Sequence, residues 1–428
     1  MAERKLLIIS NDALVKEDMD YLFTKPLFKN LKKDGVWVKT LKTVYPSITY
    51  CCHTSMITGC YPAKTHLYNN EPDDWGNATW TWDRKWNKAK TLIDAAKERG
   101  LTTANVFWPV LGNDKNIDYN IPEYWSQTED ESLCDALRSM GTSEKVIKEI
   151  VEPNLYYIEG HQRKHPYADE FVFACTRDIL VKYQPDVMVV HPAGVDDARH
   201  KHGVFNEYVT EELDYTYYWI EKIVRALKEN GLYEKTDIVL TSDHGQMNIV
   251  RWCHPNVLFV KEGFITLDKD NNVTGMKAYV KPVGGSAQVF VTDKSVYDKV
   301  YRFLTTAAES KLYGFQQVFK KEEVKKYGLD GDFDFVLESD YNTAFGWEPY
   351  GEYYVEPDLS DYRMSAGTHG CFAVTGAFIR MFMIGPDFNK GVEIERRDTI
   401  DMAVTLAKIF DLSLPDADGK VIEEAIKK

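Results

Sequence analysis

The 428 residues predict an α/β protein: a mostly parallel central sheet with helices on both faces and a smaller inserted subdomain. Three observations carry that expectation. Short apolar runs alternate along the chain with segments of helical spacing, as buried parallel strands and their crossover helices require. Several of these runs stop at clusters of Asp, His, Ser and Gly, which puts polar groups at strand ends, where such sheets gather ligands. Residues 251–365 then break the rhythm with a different texture.

The first strand is Lys5 to Ile9, followed by Ser10-Asn11-Asp12. Lys88 to Arg99 spaces Ala89, Leu92, Ile93 and Ala96 at helical intervals and stops at Gly100, after which Thr103 to Trp108 reads as a strand. Asp169 to Tyr183 repeats the helical pattern with Val172, Cys175, Ile179 and Tyr183, until Gln184-Pro185 breaks it. Val187 to Val190 is a second buried strand. Glu207 to Asn230 is a long amphipathic helix closed by Gly231, with strand Asp237 to Thr241 behind it. Phe378 to Ile384 and Thr399 to Phe410 supply a last strand and helix. Residues 1–250 and 366–428 therefore form the α/β domain. Residues 251–365 form an inserted subdomain or cap, with Gly284-Gly285, a helix from Val296 to Leu304 and a tyrosine- and acid-rich stretch ending near Arg363. The Trp-rich segment Trp75 to Trp86 reads as a loop over the sheet.

Lys plus Arg total 52 against 66 Asp plus Glu, a net charge of -14. Such a surface repels phosphate backbones, which argues against a nucleic-acid polymer as partner. A small phosphate ligand would need local cations to draw it in against the protein's own field. No stretch approaches 18 uninterrupted apolar residues, so no membrane span is expected. The apolar run near the N-terminus covers only Leu6 to Ile9, which suits a strand better than a secretion signal. Seven cysteines without metal-ligand spacing, an odd number, point to reduced thiols and a cytoplasmic location. The 26 tyrosines leave polar-tipped packing and a homo-oligomer surface both open.

Three strands lead into metal-ligand types. The first delivers Asp12, the second runs into His191-Pro-Ala-Gly-Val-Asp196-Asp-Ala-Arg199-His200-Lys-His202, and the third delivers Asp243-His244. Gly367-Thr368-His369-Gly370 precedes the last strand. Each segment alone reads as a turn or helix cap. Together Asp12, Asp196, His200, Asp243, His244 and His369 offer three carboxylates and three imidazoles on one rim, enough for two divalent ions with open positions. Mixed N/O ligation without thiolate fits Zn²⁺ best, with Mn²⁺ and Fe²⁺ as alternatives. Thr49, at or just before the start of a helix in Tyr45 to Gly59, suits a nucleophile, because helix N-terminal amides favour an anion and metal coordination lowers a hydroxyl pKa. Ser47, Thr54 and Ser55 are rivals.

The order Asp12, Thr49, Asp196-x-x-x-His200, Asp243-His244, His369 resembles the alkaline phosphatase superfamily. Within it, Thr49-Tyr50, Thr58-Gly59-x-Tyr61-Pro62, His66-x-x-Asn69-Asn70, Phe107-Trp108-Pro109 and Ser242-Asp243-His244-Gly245 are similar to the nucleotide pyrophosphatase/phosphodiesterase family. The resemblance spans Leu6 to Phe410. It implies an alkaline-phosphatase-like fold, one metal on Asp12, Asp243, His244 and Thr49, and another on Asp196, His200 and His369. It also implies Asn70 as donor to a phosphate oxygen and a phospho-threonine intermediate on Thr49 during cleavage of phosphodiesters or pyrophosphates of nucleotides, while Trp108 suits strand-end packing and substrate contact equally.

The chain departs from the pattern at Cys51, where proline is usual, at Leu67, which follows His66 in place of glycine, and at Arg199, where glycine commonly precedes the histidine. Arg199 reads either as a surface or ion-paired arginine or as an added phosphate-binding cation, which would tilt the balance towards monoesters. Four loop tryptophans, Trp75, Trp80, Trp82 and Trp86, suit either stacking on a base or packing against the sheet. His202 is read as an exposed loop residue, His53 as structural, and His161-Gln-Arg-Lys-His165 as a solvated basic turn. A phosphomonoesterase or phosphonoacetate-type hydrolase, a phosphomutase and a non-catalytic binding protein are the alternatives. A sulfatase is disfavoured, because neither Cys51 nor Cys52 sits in a Cys-x-Pro-x-Arg context.

Overall fold

The structure is a computed structural model that describes residues 4–76, 79–359, 365–372 and 378–428. Five parallel strands form the centre of a nine-stranded sheet: β1 (Lys5–Ser10), β3 (Thr103–Val106), β4 (Tyr119–Ile121), β5 (Val187–Val190) and β6 (Thr236–Thr241), in the order β4-β3-β5-β1-β6. Beyond β6 lies Ile379–Ile384, antiparallel to both neighbours, and then β2 (Val36–Lys42). Val392–Ile394 and Arg397–Asp398 pair with β2 at the outer edge. The sheet is mostly parallel, as expected, and β2, β4 and the two short edge strands are the ones that sequence patterning left out.

Alternation along the strands divides the core in two. Leu7 and Ile9 of β1, Met188 and Val190 of β5, and Ile238 and Leu240 of β6 face one side, packed under helices Tyr167–Lys182 and Glu207–Glu229. Leu6, Ile8, Val187, Val189 and Val239 face the other, under Leu92–Glu98 and Asp401–Ile409. Helix Glu207–Glu229 buries Val209, Leu213, Ile220, Ile223, Val224 and Leu227 at three- and four-residue intervals, and its opposite face carries exposed tyrosines. No helix among the described residues is long and apolar enough to cross a membrane.

The chain leaves the α/β body at Met247–Asn248, and Gly367–Thr368 pairs antiparallel with that segment on return. Between them, Ala278–Val283, Ser286–Val291, Phe335–Ser339 and Phe315–Lys320 form a four-stranded antiparallel sheet. Its own apolar core, including Phe259, Phe264, Val300, Leu304 and Leu337, is covered by helix Tyr297–Ser310. Arg363, the expected end of the tyrosine-rich stretch, lies outside the described residues.

Candidate functional site

Adjacent parallel strands β5, β1 and β6 end side by side and set His191, Asp12 and Asp243 on one rim. The Asp12 N–H donates to the Pro192 carbonyl at 3.0 Å, and the Ala13 N–H donates to Asp243 Oδ1 at 3.2 Å, which ties the three strand ends together. Ala13 has a φ of 55°, a costly left-handed backbone for a residue with a Cβ, right after the carboxylate it helps to aim.

Asp196 and His200 sit on a helix, Gly194–His202, where the sequence had suggested a loop. Their four-residue spacing stacks them on one helical face, and His200 Nε2 lies 3.4 Å from Asp196 Oδ2. The start of this helix is held by Asp169, whose two carboxylate oxygens accept from the Ala193 and Gly194 N–H groups at 2.9 and 2.7 Å. Gly194 permits that approach: a Cβ there would stand 2.5 Å from Asp169 Oδ2 and from Glu212 Oε2. His165 Nδ1 lies 3.1 Å from Asp169 Oδ1. Burial works to lower the His165 pKa, but the Asp169 charge and hydrogen bond push it up to about 9. The expected solvated turn is therefore corrected at His165, which is drawn in by the Asp169 carboxylate.

Thr49 is the first residue of helix Thr49–Thr58. Its Oγ1 lies 3.1 Å from His244 Nε2, which in turn lies 3.3 Å from Asp12 Oδ1 and 3.1 Å from Asp243 Oδ2. His369 Nδ1 faces the Ser47 carbonyl at 3.1 Å, and its Nε2 lies 3.9 Å from Asp196 Oδ1. The structure thus brings together Asp12, Thr49, Asp196, His200, Asp243, His244 and His369. Two sets of ligand atoms lie within 4.8 Å of one another, Asp196 with His200 and His369, and Asp12 with Asp196 and His244. Asp196 touches both sets, whereas the family resemblance assigns it to one metal.

The donor chemistry fits divalent cations. Asp12 Oδ1 and Asp243 Oδ2 are buried without a hydrogen-bond partner. Burial, and then the neighbouring carboxylates, push both carboxyl pKa values well up. Burial, and then the His369 ring, push the His244 pKa well down, and burial holds His369 down to about 4. A cluster that resists both carboxylate and imidazolium charge calls for cations placed among neutral imidazoles and carboxylates. Two divalent ions would be held by these six side chains.

Sequence reasoning missed three neighbours. His191 Nε2 is 3.1 Å from Asp12 Oδ2, and its signal was its place directly after β5. Gln246 donates through Nε2 to Asp196 Oδ1 and to the Asp196 carbonyl, two residues beyond His244. Glu123 lines the adjoining cavity, and burial pushes its carboxyl up to about 7.

That cavity, of about 560 Å³, opens beside Asp12, Thr49 and Asp196 and carries Trp80, Trp82, Phe107 and Trp125 on its walls. Trp75 instead stacks on Trp347, with ring centroids 4.5 Å apart, and Trp86 packs with the Tyr50 and Cys51 cluster. Asn70 is beside the nucleophile helix, where its Oδ1 accepts from the Tyr50 N–H at 3.0 Å. Of the alternatives open for Trp108 and Arg199, the structure favours packing for one and ion pairing for the other, and neither lines the cavity. The Trp108 ring is fully buried and its Nε1 donates to the His53 carbonyl at 3.3 Å, so its neighbour Phe107, at φ 62°, is the residue that reaches the cavity. Arg199 is also fully buried. It donates to Asp18 Oδ1 at 2.6 Å, to the Val204 carbonyl at 3.0 Å and to the Ala13 carbonyl, and so braces the Asp12 turn from behind. Among the described residues of 251–365, Leu359 lines this cavity.

The family model described as type I phosphodiesterase / nucleotide pyrophosphatase matches residues 6–370. The human ectonucleotide pyrophosphatase/phosphodiesterase family member 1 is 22% identical over 407 residues, covering 92% of this chain and 38% of that protein. The chain thus spans well under half the length of that relative. The human family member 5 is 22% identical over 427 residues, covering 97% of this chain and 76% of that protein. Among solved structures, an inactive form of murine ectonucleotide pyrophosphatase/phosphodiesterase 5 in complex with AMP superposes with a TM-score of 0.69 at 17% identity, covering 99% of this chain and 100% of that chain. This likeness shows a shared fold. With most of its length matched from Leu6 to Gly370, the chain belongs to the type I phosphodiesterase / nucleotide pyrophosphatase family.

Proposed function

We propose that this protein hydrolyses phosphodiester or pyrophosphate bonds in small nucleotide-like substrates, with Thr49 as nucleophile. The observation that carries the reading is the Thr49 hydroxyl, 3.1 Å from His244 Nε2, at a helix N-terminus that opens on an aromatic-walled cavity. Divalent cations held by Asp12, Asp196, His200, Asp243, His244 and His369, Zn²⁺ by ligand type, would supply Lewis acidity for the attack and for the phosphoryl group. Thr49 Oγ forms a bond to phosphorus as the P–O bond to the leaving alcohol or nucleoside phosphate breaks, and the threonine proton ends on that leaving oxygen. Water then attacks phosphorus, the Thr49 Oγ–P bond breaks, one water proton restores the threonine hydroxyl, and the remaining OH stays on the released phosphate. Helix N-terminal amides and Asn70 oppose the charge that grows on the equatorial oxygens. Trp80, Trp82, Phe107 and Trp125 offer faces to the organic group.

The Arg199 guanidinium is committed to Asp18 and so lends no preference for monoesters. A reducing, cytoplasmic location belongs to the same proposal, supported by an odd number of cysteines, seven, without metal-ligand spacing. The test compares kcat/KM for nitrophenyl thymidine monophosphate and nitrophenyl phosphate, with and without a chelator. A diester preference that vanishes on chelation is the expected result. A monoester preference, or turnover that survives chelation, would overturn the reading.

A further inference from the structure

The insertion grips two of the loops that carry functional groups, those of His369 and Asn70. Ser286 Oγ donates to the Gly370 carbonyl at 2.6 Å, and the Gly285 N–H donates to the His369 carbonyl at 2.7 Å. Gly370 has a φ of 88°, and a Cβ there would stand 1.7 Å from the Val283 carbonyl, so strand Ala278–Val283 packs directly on the backbone beside His369.

The second grip is on residues 68–75, the loop that holds Asn70. Gln288 Nε2 donates to the Tyr68 carbonyl at 2.8 Å and Asn69 Nδ2 to the Pro282 carbonyl at 2.9 Å. The Tyr279 hydroxyl donates to the Asp73 carbonyl at 2.8 Å, and Trp75 stacks on Trp347. Lys281 completes the set by donating Nζ to the Pro72 carbonyl. This lysine is 1% exposed, with Glu71 Oε2 at 3.9 Å and the Trp347 ring centroid at 5.6 Å. Burying an ammonium costs several kcal/mol before compensation, whereas an apolar side chain of the same length would fill the space without that cost. What the ammonium adds is a directed donor that reaches one carbonyl of the loop. Two residues before that carbonyl, Asn70 accepts from the Tyr50 amide, next to Thr49.

We propose that Lys281 is a positioning residue: it fixes the 68–75 loop so that Asn70 stays docked beside Thr49. The proposal rests on the roles given to Thr49 and Asn70 above. It makes the insertion a buttress for the phosphate end of the site.

The test is a cycle of wild type, Lys281→Met, Asn70→Ala and the double variant. It measures kcat/KM on a nitrophenyl nucleotide ester, zinc stoichiometry and peptide hydrogen exchange. Lys281→Met is expected to lower kcat/KM by about 10- to 100-fold, the scale of a small misplacement, while zinc stoichiometry is kept. The double variant should be no slower than Asn70→Ala alone, because both act through one group. Exchange should rise in residues 68–76 and at the Tyr50 amide and stay unchanged in peptides holding Asp12 and Asp243. Multiplicative losses in the double variant, or unchanged exchange in 68–76, would overturn the proposal. If the wild type turns over no diester, the phosphodiesterase reading fails, and the exchange data alone decide whether Lys281 holds the loop. Should Lys281→Met lose its melting transition, Tyr279→Phe, which removes only the hydroxyl on the Asp73 carbonyl, must show the same pattern at smaller amplitude. Its absence would overturn the proposal too.

Discussion

Asp169→Asn is a change outside the ligand set that should nonetheless loosen the metal centre. Asp169 holds the two amides that begin helix Gly194–His202, one turn before Asp196 and His200. The amide of asparagine keeps one acceptor oxygen but turns an N–H donor towards the other backbone N–H. That exchange loses one charge-assisted hydrogen bond, about 1.5–3 kcal/mol. It also removes the charge that lifts His165 from 6.5 to about 9, a shift worth about 3 kcal/mol at 1.36 kcal/mol per unit. The two contributions overlap, so the whole change should cost about 4 kcal/mol. The His165 contribution is complete below its unfolded pKa of 6.5 and is lost as pH rises through about 9. Asp169, whose pKa is held below 3.8 chiefly by His165 and the two amides against the effect of burial, contributes above that value and loses its contribution in acid. Denaturation of the metal-free protein should therefore show the largest gap between wild type and variant near pH 6 and a narrowing gap towards pH 9. Zinc titration against a chromophoric chelator should show about 10- to 100-fold weaker binding, the usual effect of losing a group that orients ligands. Wild-type zinc affinity together with a gap that does not change with pH would refute the reasoning.

Other consequences are as direct. Arg199→Met leaves Asp18 buried and unpaired, so stability should fall by about 3–5 kcal/mol, while the ratio of monoester to diester hydrolysis stays unchanged. A selective loss of monoester turnover would return Arg199 to the substrate. Chelation should lower the melting temperature, since each ion at 1,000 times its Kd contributes about 4 kcal/mol. In the metal-free protein the raised Asp12 and Asp243 carboxyls make stability fall as pH rises above 3.8, and zinc should abolish that slope. A melting curve that ignores both chelator and pH would contradict the metal assignment. Trp82→Ala removes one aromatic wall and should raise KM for a nucleotide ester far more than for methyl nitrophenyl phosphate; equal effects on both would place Trp82 away from the organic group.

Much of this was legible in the sequence because the central strands are buried on both faces. Continuous apolar runs such as Leu6-Leu7-Ile8-Ile9 declare themselves, and the polar residues that follow them must lie at the rim. β2 escaped because the half-buried Lys39, Thr40 and Lys42 interrupt its apolar pattern, and β4 because Tyr119–Ile121 is only three residues long. Helix Gly194–His202 escaped because it opens with glycine and carries Asp196, Asp197, Arg199, His200, Lys201 and His202, a composition that reads as loop until Asp169 supplies its N-terminal acceptor. Motif position also fails to tell which way a side chain points. The Phe107–Trp108 turn, closed by the Trp108 N–H on Asn105 Oδ1 at 2.8 Å, sends the tryptophan inward and the phenylalanine to the cavity. Arg199 had the charge for a phosphate, but its helix faces it towards Asp18. The grip of the insertion on residues 68–75 joins positions about 210 apart through backbone carbonyls, which no local pattern encodes.

The central claim is that Thr49 attacks phosphorus. It is tested most directly by Thr49→Ala with zinc stoichiometry and diester turnover measured on the same sample. The account predicts two bound zinc ions and a loss of kcat of at least about 10³-fold, since no other hydroxyl is placed against His244 Nε2 among the described residues. A variant that binds two zinc ions and keeps turnover within ten-fold of wild type would contradict it.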